Sequence, residues 1–207
     1  MAQFLSIHPD NPQQRLIDQA VQVLKRGGLI VYPTDSAYAL GCHIGDKMAL
    51  DRIRALRQLD KNHNFTLMCR DLSELATYAR VNNADFRLIK GHTPGPYTFI
   101  LNATSEVPRR LMHPKRKTIG MRVPNNAIAL ALMEHLGEPL MSSSLILPND
   151  DLPLTDPYDI REVLEHQVEL IIDGGFCGLE PTSVVDLTGD SPVVTRVGCG
   201  AVSEFEV

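Results

Sequence analysis

The residues able to do chemistry in this chain are hydroxyls and arginines, and they recur at the ends of apolar runs. Leu29 to Tyr32 reads as a short buried strand, being β-branched and aromatic and introduced by Gly27 and Gly28. Pro33 removes a backbone donor and ends the ladder. Thr34, Asp35, Ser36 and Tyr38 then crowd four polar side chains onto the following turn, which is read as extending to Cys42. In an open α/β sheet the carboxyl end of a strand is where ligands bind. The pattern repeats at Thr118 with Arg122, at Ser142 with Ser144, at Thr182 with Ser183, and at Arg196. Donors fixed in this way suit a site that binds phosphate and carboxylate without a covalent intermediate.

Other chemistries find little support. The chain has no phosphate-cradling G-x-x-x-x-G-K-[ST] loop, no dinucleotide fingerprint, no nucleophile elbow and no H-E-x-x-H helix. Its seven histidines are scattered with no i,i+4 pair, which disfavours an imidazole-built metal centre and leaves the metal question open. Ser142-Ser143-Ser144 lacks a histidine and carboxylate in triad order, so it reads as a polar strand end. Cys42, Cys69, Cys177 and Cys199 form no C-x-x-C pair, which points to buried thiols rather than zinc or a disulfide scaffold.

With 207 residues, 43% of them hydrophobic, the chain can build one full core or one domain with a small appendage. No apolar stretch approaches the roughly 18 residues of a membrane span, and Met1 to Asn11 lacks a signal-peptide pattern, so a soluble, cytoplasmic protein with no membrane partner is expected. Net charge is −5, yet it is unevenly spread. Arg109, Arg110, Lys115, Arg116, Lys117 and Arg122 fall in one stretch without an acid, whereas Asp150 to Glu169 holds seven acids against Arg161. A local basic surface on an acidic protein suits a phosphate-bearing ligand.

The elements that must position these groups follow from periodicity. Asn11-Pro12 reads as a cap and first turn of a helix running to about Arg26, with Ile17, Ala20, Val21 and Leu24 as its stripe. Asp46 caps a second helix with Met48, Leu50, Ile53 and Leu56 apolar. Asn64–Cys69 is a strand, Asp71-x-x-Glu74 a capping box opening a short helix, and Ala84–Lys90 another helix. Tyr97–Leu101, Lys117–Val123, Leu140–Ser144, Val168–Ile172, Ser183–Leu187 and Val193–Val197 complete the strands. Helices at Ala127–Leu136 and from Asp156-Pro157 to about His166 lie between them. The irregular alternation predicts an α/β fold, in the α+β sense, with a mixed sheet rather than a strict βαβ ladder.

Several segments, in order, resemble the YrdC-like family and most closely its YciO branch. They are Pro33-Thr34-Asp35-Ser36-Ala37-Tyr38-Ala39-Leu40, Pro94-Gly95-Pro96-Tyr97-Thr98, Gly120-Met121-Arg122-Val123-Pro124, Met141-Ser142-Ser143-Ser144, Asp173-Gly174-Gly175, Pro181-Thr182-Ser183-Val184-Val185-Asp186 and Arg196-Val197-Gly198. The resemblance implies a single domain over 1–207, with its core at about 12–200, built as a single twisted open mixed sheet with flanking helices, the YrdC/RibB-like fold, around a concave electropositive cleft. It implies ligands of two kinds, nucleotide (ATP or AMP) and structured RNA such as tRNA or rRNA. The best understood members make threonylcarbamoyl-AMP from threonine, bicarbonate and ATP with release of pyrophosphate, using Mg²⁺ with the ATP, in a pathway of tRNA modification. Such a reaction asks the protein only to align groups and neutralise charge.

Carried over by position, Thr34 and Tyr38 would contact the amino acid and Arg122 its carboxylate. Arg57 would hold phosphate, Thr118, Ser142 and Ser144 would line the nucleotide pocket, Thr182 stands where the family has a serine, and Arg196 would reach the nucleotide. The chain also departs from the family, and the loop from Arg57 to Asn64 is longer than in the synthases. The lysine of the family's K-x-R is Ala55 here, with Arg54 or Lys61 as candidate substitutes. The asparagine of its S-x-N is Ser144, and a histidine is Cys69. Each lost phosphate contact costs about 1–3 kcal/mol. The implied activity is therefore a threonylcarbamoyl-AMP synthase type of nucleotidyl transfer. The alternative is a non-catalytic binder of double-stranded or structured RNA through Arg109, Arg110, Lys115, Arg116 and Lys117.

Overall fold

The computed structural model describes residues 1–60, 62–63 and 65–205. Lys61, a candidate stand-in cation, and Asn64, the expected start of a strand, lie outside the described residues.

Helix α1 (Gln14–Lys25) buries Ile17, Ala20, Val21 and Leu24, the stripe its spacing predicts. It begins later than expected. The backbone N–H groups of Asp10 and Asn11 donate to His8 Nδ1, and the Gln13 side chain accepts from His8 N, so Asn11 is committed to a turn and does not cap the helix. Gln13 holds the cap position without a side-chain bond to the helix. Strand β2 (Ile30–Tyr32) pairs antiparallel with β3 (Ala39–His43), so the polar turn ends at Tyr38 and not at Cys42. Ala-Leu-Gly-Cys carries little strand propensity, and packing decides the matter. A Cβ on Gly41 would stand 2.9 Å from both the Tyr32 ring and Leu140 Cδ2. In α2 (Lys47–Arg57) Asp46 caps the helix by accepting from Ala49 N, and Ala49, Leu50 and Ile53 face inward. Met48, expected on that stripe, is on the far side and 78% exposed.

Strand β4 (Thr66–Met68) leads to α3 (Leu72–Tyr78), where Asp71 accepts from Glu74 N and Glu74 accepts from Arg70 N. Then come β5 (Ala79–Arg80), α4 (Asn83–Gly91), β6 (Tyr97–Ala103) and β7 (Thr118–Arg122). Helix α5 (Ala127–Leu136) is stopped by Gly137 in the left-handed region. Strand β8 (Leu140–Ser144), α6 (Pro157–Leu164), β9 (Leu170–Asp173), β10 (Ser183–Asp186) and β11 (Val193–Arg196) complete the chain.

All strands join one mixed sheet in the order β1-β9-β2-β3-β8-β4-β7-β6-β10-β11, with β5 on β6. The edge strand β1 (Gln3–Ser6), which has no clear alternation in the sequence, pairs parallel with β9. With Phe205 buried at the other end, it extends the packed chain beyond the expected 12–200. One face of the sheet carries a continuous apolar core that includes residues of α2, α3, α4 and α6. On the other face α1 and α5 cover β9, β2 and β3, burying Ile30, Leu170 and Ile172 against Leu24, Ile128 and Leu132. This cover reaches Leu140. Ser142 and Ser144, farther along β8 on the same face, line an open cleft.

Candidate functional site

The cleft is the uncovered half of that second face. Alternation along strands sets its floor, because side chains two residues apart share a face. Register aligns Ser142 with Thr66, Thr66 with Gly120, and Ile100 with Gly120. Gly120 keeps the middle of the floor flat, since a Cβ there would lie 2.8 Å from Thr66 Oγ1 and 3.2 Å from Thr98 Cγ2. Arg57 from the end of α2, Arg122 from β7 and Arg196 from β11 reach the same cavity of about 480 Å³, with Ser142, Ser144, Thr98 and Thr182.

Arg122 is only 5% exposed. One of its terminal nitrogens donates to Asp35 Oδ1, to Ser36 Oγ (2.9 Å) and to Thr34 Oγ1 (3.3 Å). Asp35 Oδ2 also accepts from Asn125 N at 2.8 Å, so the 34–36 turn is clamped to the end of β7. The Nε–H of Arg122 is buried and has no partner among the described residues. Thr34 thus acts at the cleft through Arg122. Its hydroxyl donates to Ala37 O at 2.6 Å and shapes the turn.

Arg57 and Arg196 are placed differently. Arg57 donates to Ile146 O (3.0 Å) and Ser143 Oγ (2.5 Å), while Arg196 donates to Thr182 O (2.9 Å) and Thr182 Oγ1 (3.0 Å). Neither makes an ion pair among the described residues. Burial, and then the nearness of Arg196, lowers the Arg57 pKa; burial, and then Arg122, lowers that of Arg196. A guanidinium stays charged nonetheless. Two cations held by neutral groups in one half-buried cleft give it charge that suits an anion. Thr182 Oγ1 also meets Thr98 Oγ1 at 2.9 Å, and Ser142 Oγ lies 2.6 Å from the fully buried Tyr32 hydroxyl. Burial raises the Tyr32 pKa, so this phenol stays protonated.

The structure brings Arg57, Arg122, Ser142, Ser144, Thr182 and Arg196 together, although they span most of the chain. Three sequence-predicted residues do not line the cavity: Thr34, which meets Arg122 from the turn, Tyr38 and Thr118. The buried Tyr38 hydroxyl donates to Gly175 O (2.6 Å) and accepts from Gly174 N (3.2 Å), which ties down the loop after β9. Thr118 shares the face of Gly120 but lies beyond the cavity, opposite Asn102, and its hydroxyl is buried without a partner among the described residues. Arg54, a candidate for the charge missing at Ala55, stacks on the Phe65 ring at 5.0 Å and donates to Arg110 O, so it does not replace that lysine.

The basic stretch is separate from the cavity and partly spent. Arg116 pairs with Asp186 at 2.6 Å, Arg110 donates to Gly45 O, and Lys117 donates to Pro114 O at 2.9 Å. Arg109 and Lys115 extend into solvent. Sequence reasoning missed Asp60, His63, Thr66 and Thr98, all of which line the cavity. Strand alternation singles out Thr66 and Thr98 once the register is known. Nothing in the sequence marks Asp60 or His63.

Comparisons place this geometry among known proteins. The Sua5/YciO/YrdC family model, described as telomere recombination, matches residues 22–198. The uncharacterized protein YciO of Escherichia coli (strain K12) is 63% identical over 205 residues, covering 99% of this chain and 100% of that protein. Its crystal structure superposes with a TM-score of 0.97, covering 99% of this chain and 100% of that one. The threonylcarbamoyl-AMP synthase of Halorhodospira halophila (strain DSM 244 / SL1) is 28% identical over 172 residues, covering 82% of this chain and 89% of that protein. The structure of Sua5 of Pyrococcus abyssi complexed with L-threonine gives a TM-score of 0.90 at 26% identity, covering 98% of this chain and 59% of that chain.

Proposed function

This chain belongs to the Sua5/YciO/YrdC family, and from that premise we propose that its cleft binds a nucleoside phosphate beside a threonine-like amino acid, with weak threonylcarbamoyl-AMP synthase-type activity. The observation that carries the reading is the pair Arg57 and Arg196, two cations without carboxylate partners among the described residues that share one cavity with Arg122. The phosphate lies against Arg57 and Arg196. The amino acid carboxylate takes the unpartnered Nε–H of Arg122 and the terminal nitrogen not engaged by the 34–36 turn. The likeness to a threonylcarbamoyl-AMP synthase, and to a Sua5 complexed with L-threonine, supports both assignments.

In this reading the carbamate formed from threonine and bicarbonate, with loss of water, attacks the α-phosphorus of ATP. Its oxygen bonds to phosphorus, the bond to pyrophosphate breaks, and the leaving group departs with the electron pair. The protein's part is to align the two ligands and offset negative charge. Magnesium enters as part of the nucleotide substrate. Among the described residues no three His, Cys, Asp or Glu side chains converge on a resident site. With Ala55 in place of a lysine and Arg54 turned onto Phe65, the triphosphate tail meets one cation fewer. One such preorganised group is worth about 10²–10³ in rate.

The test is pyrophosphate release in ATP, Mg²⁺, threonine and bicarbonate, beside calorimetric titration of AMP. AMP binding with slow, threonine-dependent release is expected, and Ala55→Lys combined with Ser144→Asn accelerates it. Failure to bind AMP or ATP at any concentration up to millimolar overturns the reading.

A second reading, a binder of structured RNA such as tRNA or rRNA, is favoured by exposed Arg109, Lys115 and Lys117 on the loop between β6 and β7. Its affinity would fall with salt, and each phosphate contact removed would flatten the log–log slope by roughly 0.7–0.9. An unchanged slope after Lys115, Arg116 and Lys117 are replaced by alanine assigns the loop to ordinary solvated surface.

A further inference from the structure

Of the seven histidines in the chain, six have a ring partner. His8 and His113 accept from backbone N–H groups through Nδ1, and His43 accepts from Gly45 N and meets Glu138. His92 reaches Leu88 O and Glu204, His135 reaches Asp18, and His166 reaches Glu165. His63 alone has no ring hydrogen bond among the described residues, and it is the one that lines the cleft. Its ring is held edge-on against Phe65, with centroids 5.3 Å apart and planes at 74°. Asp60 fixes the loop that carries it, its carboxylate accepting from Asn62 N at 2.6 Å. A half-buried imidazole locked by packing, with its nitrogens unused, is placed for a ligand.

We propose that His63 is a ligand-contacting residue of the anion subsite, whose imidazole joins Arg57 and Arg196 on the bound phosphate and takes up a proton as the phosphate binds. The proposal rests on the nucleoside-phosphate reading of the cleft. The groups facing His63 are Arg54 and Arg57 from α2, Asp60 from the loop and Arg196 from β11. Burial, followed by Arg57, outweighs Asp60 and holds the empty-site imidazole down at about 4, so it is neutral near pH 7. A phosphate seated between the two guanidiniums offsets the charges that repel the proton and adds an acceptor for an N–H. His63 then supplies, on demand, a cation in a cleft that lacks one at Ala55. The sign follows from linkage. The liganded form binds the proton more tightly than the empty one, so phosphate affinity rises as pH falls from the liganded pKa towards the empty-site value.

Titration of AMP between pH 8 and pH 5.5, in paired buffers of different ionisation enthalpy, reads this directly. The ratio of wild-type to His63→Asn affinity cancels the titration of AMP itself. That ratio should grow on acidification, by at most about tenfold per pH unit, and wild type alone should take up the additional fraction of a proton. In wild type, the His63 ring-proton resonance should titrate below pH 5 when empty and above pH 6 with AMP, which needs no variant to fold. Identical pH profiles for wild type and variant, or a His63 resonance that AMP leaves untouched, overturn the proposal while the nucleotide reading stands. Absence of AMP binding at every pH overturns both.

Discussion

The two halves of one sheet face differ in what covers them. Over β9, β2 and β3 the outward side chains are Leu170, Ile172, Ile30 and Tyr32, and helices α1 and α5 bury them. Over β8, β4, β7, β6 and β10 the same face presents Ser142, Ser144, Thr66, Gly120, Arg122 and Thr98, with Val184 and Arg196 towards the edge, and these line the cleft. The change occurs within β8, between Leu140 and Ser142. A helix packs where it removes apolar area from water, at about 25 cal/mol per Å². Over hydroxyls and guanidiniums it would instead leave polar groups unsolvated. The covered half therefore buries apolar area, and the open half leaves its hydroxyls and guanidiniums lining a cleft.

That division is open to attack by mutation. The largest effect is expected where a cleft residue also clamps the turn between β2 and β3. Arg122→Ala leaves Asp35 buried without its cation and should cost about 3–5 kcal/mol by urea denaturation, and abolish threonine binding as well. Leu132→Ala, wholly within the covered half, should cost about 2–5 kcal/mol and leave AMP affinity unchanged by calorimetry. A changed affinity there would dissolve the separation. Arg57→Ala or Arg196→Ala should do the reverse, weakening AMP about ten- to hundredfold with a small shift in melting temperature.

The smallest effect is expected outside both halves. Replacing Lys115, Arg116 and Lys117 with alanine should change stability by about 1 kcal/mol or less and AMP affinity not at all. The ion pair lost is Arg116 with Asp186. Burial pushes the Asp186 pKa up, but bonds from Thr188 and Arg116 prevail and hold it below the ordinary value. Its stabilising part is thus present above the unfolded-state pKa and lost as pH falls through the folded one. The advantage of wild type over Asp186→Asn, read by thermal melts, should fade below about pH 4.

Much of the apolar framework on both faces of the sheet was legible in the sequence. The stripe of α1, the caps Asp46, Asp71 and Asp156, and the Ala127–Leu136 helix ending at Gly137 follow from local periodicity and capping, which act over a few residues. Strands β1 and β3 were not legible, because Gln-Phe-Leu-Ser and Ala-Leu-Gly-Cys-His become strands only through their neighbours β9, β2 and β8. Of the site, the arginines and serines at strand ends stood out. The shift of Tyr38 from the cleft to the 174–175 loop did not, since a hydroxyl's partner 137 residues away leaves no local trace.

The sequence by itself therefore determined the family, the mixed α/β class and the inventory of fixed donors, because those rest on residue type and short-range order. Only the tertiary structure decided which donors share a cavity, that Arg122 is engaged by Asp35, and that His63 lines the cleft with no ring hydrogen bond among the described residues. The reason is physical. Charge and hydrogen-bond capacity belong to a side chain wherever it sits, but whether they are spent within the protein or left for a ligand depends on distances of about 3 Å set by sheet register and helix cover.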